Sequence, residues 1–237
     1  MPQAMSKILS IIIPVFNEAR TVKGVLERIA ALDLGTWEKE IIVVDDGSTD
    51  GTAEILGCHS NFRLITHTVN RGKGRALKSG IGVSRGDAVL IQDADFEYDP
   101  QDIPRLLAAL PEGGQGAVYG SRELEPHNRG YFYYVQGARV ITACVNLLYG
   151  SRLTDVCTGY KLFWGFTARS LPFLSAGFEV EVEITAHLLG SRIPVCEIPI
   201  SYHPRSFRAG KKIRGRDGLK CLWMLAQCRF SNPSPHV

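Results

Sequence analysis

Two aspartates, Asp93 and Asp95, stand one residue apart directly after the apolar run at residues 88–92. A hard divalent cation such as Mg²⁺ or Mn²⁺ takes oxygen ligands, and proteins usually hold it with one or two carboxylates and the phosphates of a substrate. An Asp-x-Asp pair at the end of a strand supplies such ligands. Because a lone pair of this kind is also typical of an ordinary turn, its meaning depends on the elements beside it.

Carboxylates follow two earlier apolar runs in the same way: Glu18 comes after the first, and Asp45 and Asp46 follow the second. The periodicity predicts strands at residues 8–13, 40–44, 62–66 and 88–92, with helices at 21–32 and 76–83. Strands that alternate with helices form a mainly parallel sheet, covered on both faces, that binds ligands beyond its carboxyl ends. The sequence therefore predicts that these carboxylates converge at one rim.

A basic turn that contains two glycines, Arg71-Gly72-Lys73-Gly74, precedes the helix predicted at residues 76–83. Such a flexible turn can approach a diphosphate. Its spacing matches neither the phosphate loop of nucleotide triphosphatases nor the dinucleotide fingerprint of dehydrogenases, which argues against both classes.

Length and composition set outer bounds on these interpretations. The chain has 237 residues, 45% of them hydrophobic, enough for one larger domain or a domain with a C-terminal extension. We find neither a signal peptide nor the ~18 consecutive apolar residues of a spanning helix, and expect a cytoplasmic protein. The six cysteines include no C-x-x-C pair, so we expect reduced thiols, most of them buried.

The C-terminal part concentrates positive charge. Between Arg205 and Lys220, seven basic residues stand against one aspartate, in a chain whose net charge is +3. Such a cluster predicts an anionic partner, whether a phosphate, a lipid headgroup or nucleic acid, and the alternative is a solvated charged loop.

Apolar residues recur at helical spacing between residues 217 and 230, which predicts an amphipathic helix that lies on a membrane surface. Its apolar stripe consists of Leu219, Leu222, Trp223 and Ala226. The aromatic residues 131–134 and the apolar run 140–149 offer a second surface. Packing in the core is the alternative for both.

Four segments resemble, in order and spacing, the successive motifs of glycosyltransferase family 2: IIPVFNE at 12–18, VVDDGSTDGT at 43–52, NRGKG at 70–74 and QDAD at 92–95. Three later segments resemble the branch that includes dolichyl-phosphate mannose synthase and related polyprenyl-phosphate hexose synthases: GSR at 120–122, DVCTGYK at 155–161 and EIPISY at 197–202. The resemblance extends over residues 7–225. It implies an α/β fold of GT-A type, with a Rossmann-like, mainly parallel sheet flanked by helices in a single domain.

The resemblance also implies roles for individual residues. Those that match the nucleotide-sugar site are Pro14, Phe16, Glu18, Asp45, Asp46, Lys73 and Asp93. Asp93 and Asp95 match the metal motif for Mg²⁺ or Mn²⁺, and Glu97 falls where the synthases commonly have glutamine as a third ligand. The residues matched to an acceptor phosphate are Arg122, Arg139, Arg205, Lys211 and Lys212. Arg139 is one position from its expected place, and residues 206–212 depart from the synthase pattern.

Together these features predict an inverting transfer of a hexose from GDP-mannose or a UDP-hexose to a polyprenyl phosphate. The catalytic residues predicted are Asp93, Asp95, Arg122 and Asp155. A phosphate acceptor is largely dianionic at neutral pH and needs no general base. A hydroxyl acceptor does need one. Asp155 is then the candidate base, and its alternative role is to order a loop.

Two other functions stay open. A soluble glycosyltransferase that acts on a hydroxyl of a glycan, a protein or a small molecule would share the donor motifs. A binding module for nucleic acid would need aromatic residues among the basic ones, and apart from Phe207 the segment lacks them, so we expect no nucleic-acid partner.

We expect the enzyme to attach peripherally to a membrane, directly or through a membrane-anchoring partner. The domain boundaries predicted are 7–204 for the GT-A domain, 205–230 for the basic loop and amphipathic helix, and 231–237 for a flexible tail.

Overall fold

The computed structural model describes residues 6–125, 132–205 and 215–230. Within them, one sheet of seven strands has the order β3-β2-β1-β4-β6-β5-β7. The strands are β1 (Lys7–Val15), β2 (Trp37–Asp45), β3 (Arg63–Thr66), β4 (Ala88–Ile91), β5 (Ala117–Ser121), β6 (Lys161–Trp164) and β7 (Val195–Pro199). The helices are α1 (Val22–Ala31), α2 (Thr52–Gly57), α3 (Lys73–Gly82), α4 (Ile103–Ala108), α5 (Phe132–Tyr149), α6 (Gly165–Ser170), α7 (Val180–Gly190) and α8 (Gly215–Phe230).

The sheet is mainly parallel, as predicted. β1 runs parallel to β2 and β4, and β3 runs parallel to β2. β6 lies antiparallel between β4 and β5, while β7 is parallel to β5. The sequence analysis did not predict the reversed strand β6. Because β1 is flanked by parallel neighbours, the carboxyl ends of β1, β2 and β4 meet at one rim.

Apolar side chains cover both faces of the sheet. Along β1, Ile11 and Ile13 belong to the apolar layer that contains α1, while Ile12 belongs to the layer that contains α3 and α7. This division follows from the period of two along a strand, and the continuous apolar run is typical of a strand buried on both faces. A helix covers each face, which confirms the layered α/β fold.

The C-terminal helix α8 packs against α5 and α7 in a third apolar cluster, which includes Cys221 and Leu225. Its predicted apolar stripe faces away from this cluster: Leu219 and Trp223 are 71% and 61% exposed. α5 likewise buries Val145 and exposes Val140 and Leu147. Both helices therefore have a second apolar face outside the core.

Two expectations from the sequence were wrong. The helix α3 begins at Lys73 and not at residue 76, so Lys73 belongs to a helix and not to a flexible turn. All six cysteines are free, but Cys221 is the buried one, whereas Cys58 is exposed and the other four are half-buried.

Within the described ranges, no helix is both long and apolar enough to cross a membrane. Lys211, Lys212 and the aromatic Tyr131 lie outside the described residues.

Candidate active site

The strand ends bring the predicted donor-side residues to one rim. Asp45 is the last residue of β2, pairs in register with Val15 of β1, and is 2% exposed. Its Oδ1 accepts a hydrogen bond from the backbone N–H of Ser48 at 3.1 Å. Glu18 is buried beyond the end of β1, where Thr21 Oγ1 donates to its Oε2 at 2.8 Å. Glu18 and Asp45 therefore follow neighbouring strands, as the motif order predicts.

Asp46 shapes the turn that leads into α3. Its carboxylate accepts the backbone N–H of Arg71 at 3.0 Å and of Gly72 at 2.7 Å, and its Oδ1 lies 2.6 Å from His67 Nδ1. Gly72 has a φ of +93°, and a Cβ there would lie 2.3 Å from the Ala176 carbonyl oxygen, so the turn requires glycine. Asp46 thus acts through the backbone, and its contact with a nucleotide stays a prediction.

This turn places Lys73 between two carboxylates. Its ammonium lies 2.7 Å from Asp93 Oδ1 and 3.0 Å from Glu181 Oε1. Burial by itself would lower the pKa of Lys73, but Asp93 and Glu181 outweigh it and raise the pKa above the ordinary value. Gly159 permits this approach, because a Cβ there would stand 2.6 Å from Asp93 Oδ2. A permanent positive charge is therefore fixed beside the Asp-x-Asp motif.

Glu181 is shared by a second lysine. Lys161, at the start of β6 and fully buried, donates to Glu181 Oε2 at 2.6 Å and to the Val156 carbonyl oxygen at 3.1 Å. Glu181 lies on α7 and is itself 5% exposed. Two lysines and two carboxylates thus form one chain of charges from the half-buried Asp93 to the loop before β6.

Arg205 joins the remaining acidic residues of the rim. Its Nη1 lies 3.1 Å from Glu18 Oε1, its Nη2 contacts Asp95 Oδ2, and its Nε lies 3.4 Å from Glu97 Oε1. Tyr202 Oη donates to Glu97 Oε2 at 2.8 Å. Burial raises the pKa of Asp95 to about 7, with further contributions from the neighbouring carboxylates Asp93 and Glu97.

The donor chemistry of Asp93, Asp95 and Glu97 fits a hard divalent cation. All three offer carboxylate oxygen atoms, and burial, followed by the charges of Asp93 and Glu97, raises the pKa of Asp95. In the described part of the chain, no three acidic, histidine or cysteine side chains already surround a common point for a metal. The reason is visible in the ion pairs, since Lys73 holds Asp93 while Arg205 holds Asp95 and Glu97.

A second group of charged side chains is the ion pair between Arg122 and Asp155. Arg122, just after β5, makes a two-pronged contact with Asp155: Nε lies 2.7 Å from Oδ2 and Nη2 lies 2.8 Å from Oδ1. Burial would raise the pKa of Asp155, but Arg122 outweighs it and lowers the pKa below the ordinary value. Glu197 Oε1 accepts the backbone N–H of Asp155 at 2.9 Å, which orders this loop.

One cavity of about 660 Å³ connects these groups with the C-terminal helices. Its charged lining residues include Lys73, Asp93 and Arg122. Its apolar part is formed by α5, α7 and α8, with lining residues Val140, Ile141, Val182, Leu219 and Leu222. The cavity therefore has charged lining residues beside the Asp-x-Asp motif and apolar lining residues from the C-terminal helices.

The predicted acceptor residues separate into three groups. Arg122 and Arg139 line the cavity, and Arg139 pairs with Glu123 at 2.7 Å. Arg205 lies among the donor-side carboxylates. It is linked to Arg122 indirectly, because Tyr202 donates to Glu97 while its ring centroid lies 5.2 Å from Arg122 Cζ. Lys211 and Lys212 fall outside the described residues. The prediction that these cations converge on one phosphate therefore stays open.

Pro14 lies near the carboxyl end of β1 and Phe16 directly follows that strand, and their contact with a nucleotide stays a prediction. The structure adds participants to which the sequence analysis gave no role: His67, Glu181, Lys161 and Glu197. Glu181 left one signal in the sequence, because three glutamates alternate with apolar residues at 179–183. Acidic residues inside an apolar helix are rarely buried without a cationic partner.

A model of glycosyl transferase family 2 matches residues 10–169, more than half of the chain. The chain therefore belongs to glycosyl transferase family 2, which confirms the resemblance found in the sequence.

Curated relatives include the low-salt glycan biosynthesis hexosyltransferase Agl6 of Haloferax volcanii, 28% identical over 85% of this chain and 49% of that protein. The undecaprenyl-phosphate 4-deoxy-4-formamido-L-arabinose transferase of Yersinia enterocolitica is 34% identical over 63% of this chain and 46% of that protein. The chain thus spans about half the length of these two relatives.

Among solved structures, glucosyl-3-phosphoglycerate synthase of Mycobacterium tuberculosis has a TM-score of 0.73 at 24% identity, over 96% of this chain and 83% of that one. The same synthase has been crystallised with Mn²⁺, uridine diphosphate and phosphoglyceric acid, with a TM-score of 0.72 to this chain. At this level of identity, the likeness shows that the fold is shared.

Proposed function

We propose that this glycosyltransferase moves a hexose from a nucleotide diphosphate sugar to a polyprenyl phosphate, with inversion at the anomeric carbon. The observation that carries the proposal is a cavity lined by charged groups at Lys73, Asp93 and Arg122 and by apolar side chains of α5 and α8, which we call the apolar channel. A soluble, fully polar acceptor has no use for such a channel, whereas an isoprenoid phosphate needs both parts.

On the donor side, Glu18 and Asp45 would hold the nucleoside, and Asp93, Asp95 and Glu97 would hold Mg²⁺ or Mn²⁺. The metal supplies charge neutralisation for the diphosphate leaving group. Lys73 adds a second cation beside the diphosphate, held by Asp93 and Glu181. Two uridine diphosphate complexes of the structurally similar synthase, with Mn²⁺ or with Mg²⁺, support this assignment.

On the acceptor side, the state of Asp155 favours a phosphate over a hydroxyl. Both of its oxygen atoms contact Arg122 and its pKa is lowered, which makes it a weak base. A phosphate monoester attacks without a base, since its second ionisation lies near pH ~6. We infer that Asp155 positions Arg122, which with Arg139 faces the incoming phosphate. The name of the undecaprenyl-phosphate transferase among the relatives supports this acceptor class.

Peripheral attachment to the membrane would deliver such an acceptor. Leu219 and Leu222 both line the cavity and reach the surface, and Trp223 extends the exposed stripe on α8. On α5, Tyr133 and Val140 line the same cavity and are 85% and 56% exposed. A face that joins the mouth of an apolar channel suits contact with lipid.

The test is an acceptor screen with the full chain, Mn²⁺, and both GDP-mannose and UDP-glucose as donors. The acceptors are a short-chain polyprenyl phosphate, 3-phosphoglycerate and a sugar alcohol. We expect transfer to the polyprenyl phosphate alone. Efficient transfer to either soluble acceptor would refute the lipid assignment and leave the glycosyltransferase assignment intact.

A matched pair of variants tests the channel itself. Leu222→Glu places a charge in the cavity lining, while Leu147→Glu places one on an exposed position of α5 that does not line the cavity. We expect Leu222→Glu to raise the KM for short-chain polyprenyl phosphate at least tenfold and to leave the KM for the donor unchanged. The control should move neither constant. Equal effects of both variants would contradict the channel.

A further inference from the structure

The position of Arg205 carries an inference about how the site is kept before substrate arrives. Its guanidinium contacts Glu18, Asp95 and Glu97, three acidic side chains that follow two different strands, and only 16% of its side chain is exposed. Its backbone N–H also donates to Glu97 Oε1 at 3.0 Å. Glu97 therefore holds Arg205 by both main chain and side chain.

These contacts use the same oxygen atoms that a divalent cation needs. Arg205 takes Asp95 Oδ2 and Glu97 Oε1, and Lys73 takes Asp93 Oδ1. Carboxylates this close repel each other unless a cation lies between them. A guanidinium supplies one charge and a fork of donors that suits carboxylate oxygens. Arg205 and a metal ion at this place are therefore alternatives, because each neutralises the same carboxylates.

Resting on the proposed function, we propose that Arg205 holds the place of the divalent cation in the substrate-free enzyme, and that binding of the metal–nucleotide complex displaces it. If Glu97 binds the metal, the contact of its Oε1 with the Arg205 backbone N–H is lost as well, while the hydrogen bond from the His203 N–H to the Glu97 carbonyl oxygen keeps the preceding residues in place. The displaced guanidinium then becomes available to substrate phosphates. The donor complex is thus required to bind before the acceptor site is complete.

This coupling has a distinctive sign. If Arg205 only stabilised the fold or contacted substrate, its removal would weaken Mn²⁺ binding or leave it unchanged. If Arg205 competes with Mn²⁺ for the carboxylates, its removal strengthens Mn²⁺ binding. Arg205→Gln should therefore bind Mn²⁺ alone, without nucleotide, at least about tenfold more tightly than the wild-type enzyme, because charge-assisted hydrogen bonds no longer have to be broken.

The experiment is Mn²⁺ titration of the full chain, followed by electron paramagnetic resonance of the free ion. The control is Arg85→Gln, which removes the same charge from an arginine that pairs with Glu40 and is 81% exposed. We expect the control to match the wild type. Equal or weaker Mn²⁺ affinity in Arg205→Gln would overturn the inference, and so would an equal gain in Arg85→Gln, which would show a general charge effect.

Thermal unfolding tests whether the Arg205→Gln variant is folded. Arg205→Gln should melt lower than the wild type in chelator, because three carboxylates lose their cation, and Mn²⁺ should raise its melting temperature more than that of the wild type. Arg205→Lys keeps the charge but not the fork of donors, and its Mn²⁺ affinity should lie between those of the wild type and Arg205→Gln.

The outcomes that would refute the proposed function differ from those that would refute this inference. If the wild type transfers sugar with Mn²⁺ while Arg205→Gln gains no affinity, only the place-holding role is refuted. If the wild type, with either nucleotide diphosphate sugar present, neither binds Mn²⁺ nor transfers sugar, the proposed function fails and this inference fails with it.

Discussion

The exposed apolar stripe on α8 makes a quantitative prediction about membrane binding. We consider the double variant Leu219→Ser/Trp223→Ser, which removes two side chains that are 71% and 61% exposed. Because neither side chain is buried in the fold, the free energy of unfolding should change by less than about 0.5 kcal/mol per substitution. Any effect on membrane binding then belongs to the surface and not to lost structure.

The magnitude follows from the exposed area. Fully burying a leucine side chain is worth about 1.5–3 kcal/mol, so the exposed part of Leu219 carries about 1–2 kcal/mol. A tryptophan buries about 150–250 Å² at about 25 cal/mol per Å², so the exposed part of Trp223 carries about 2–4 kcal/mol. If half of this area enters the lipid, the loss is about 1.5–3 kcal/mol, or about 10- to 150-fold in partitioning.

The assay is co-sedimentation with vesicles that contain anionic lipid, at fixed salt. The matched control is Phe166→Ser on α6, which is 71% exposed but lies outside the C-terminal helices. We expect the control to partition like the wild type. Unchanged partitioning of the folded double variant, or an equal loss in Phe166→Ser, would refute the assignment of this stripe to the membrane.

Four further predictions concern the site. Asp95→Asn should abolish transfer. The Mn²⁺ affinity of the wild type should fall as the pH drops through about 7, because the raised pKa of Asp95 lets it keep a proton that a metal must displace. A Mn²⁺ affinity that stays constant between pH 5 and 8 would contradict this. Asp45→Ala should weaken binding of the donor nucleotide at least tenfold in calorimetry, without changing KM for the acceptor; unchanged affinity would show that Asp45 does not serve the nucleotide. Asp155→Asn should lower the free energy of unfolding in urea by about 3–5 kcal/mol, because it leaves the Arg122 charge buried and unpaired. Adding Arg122→Met should restore part of that loss. Additive losses would mean that the pair does not interact.

The proton on Asp95 also affects stability, with a defined sign. The pKa of this group is about 7 in the folded protein and 3.8 as the ordinary value, so the folded state binds a proton that the unfolded state releases between those values. Its contribution is fully present below pH 3.8 and is lost as the pH rises through about 7. A chelated sample should therefore show this group opposing stability at pH 8 relative to pH 5.

Much of the fold and the donor side of the site could be read from the sequence, because the signals there are local. Strands such as β1 and β2 are continuous apolar runs, and polar residues follow them directly. In a parallel sheet the carboxyl ends of strands meet at one rim, so chain order alone gathers Glu18, Asp45 and Asp95. The motif order that identifies the family depends on the same local pattern.

The ion pairs depend on contacts between residues far apart in the chain. Arg205 meets Glu18 across 187 positions, and Lys73 meets Glu181 across more than a hundred, so spacing within a motif carries no information about either pair. The basic segment predicted a role toward an acceptor phosphate, whereas the structure places Arg205 on the carboxylates of the donor side.

The same limit applies to α8. Its sequence predicted one apolar stripe, but the helix carries two, and the choice between them depends on what packs against it. Cys221 and Leu225 pack in the cluster with α5 and α7, whereas Leu219 and Trp223 stay exposed. Periodicity along a helix reports which residues share a face, while only the tertiary structure decides which face meets the core, because burial is a property of the neighbours and not of the segment itself.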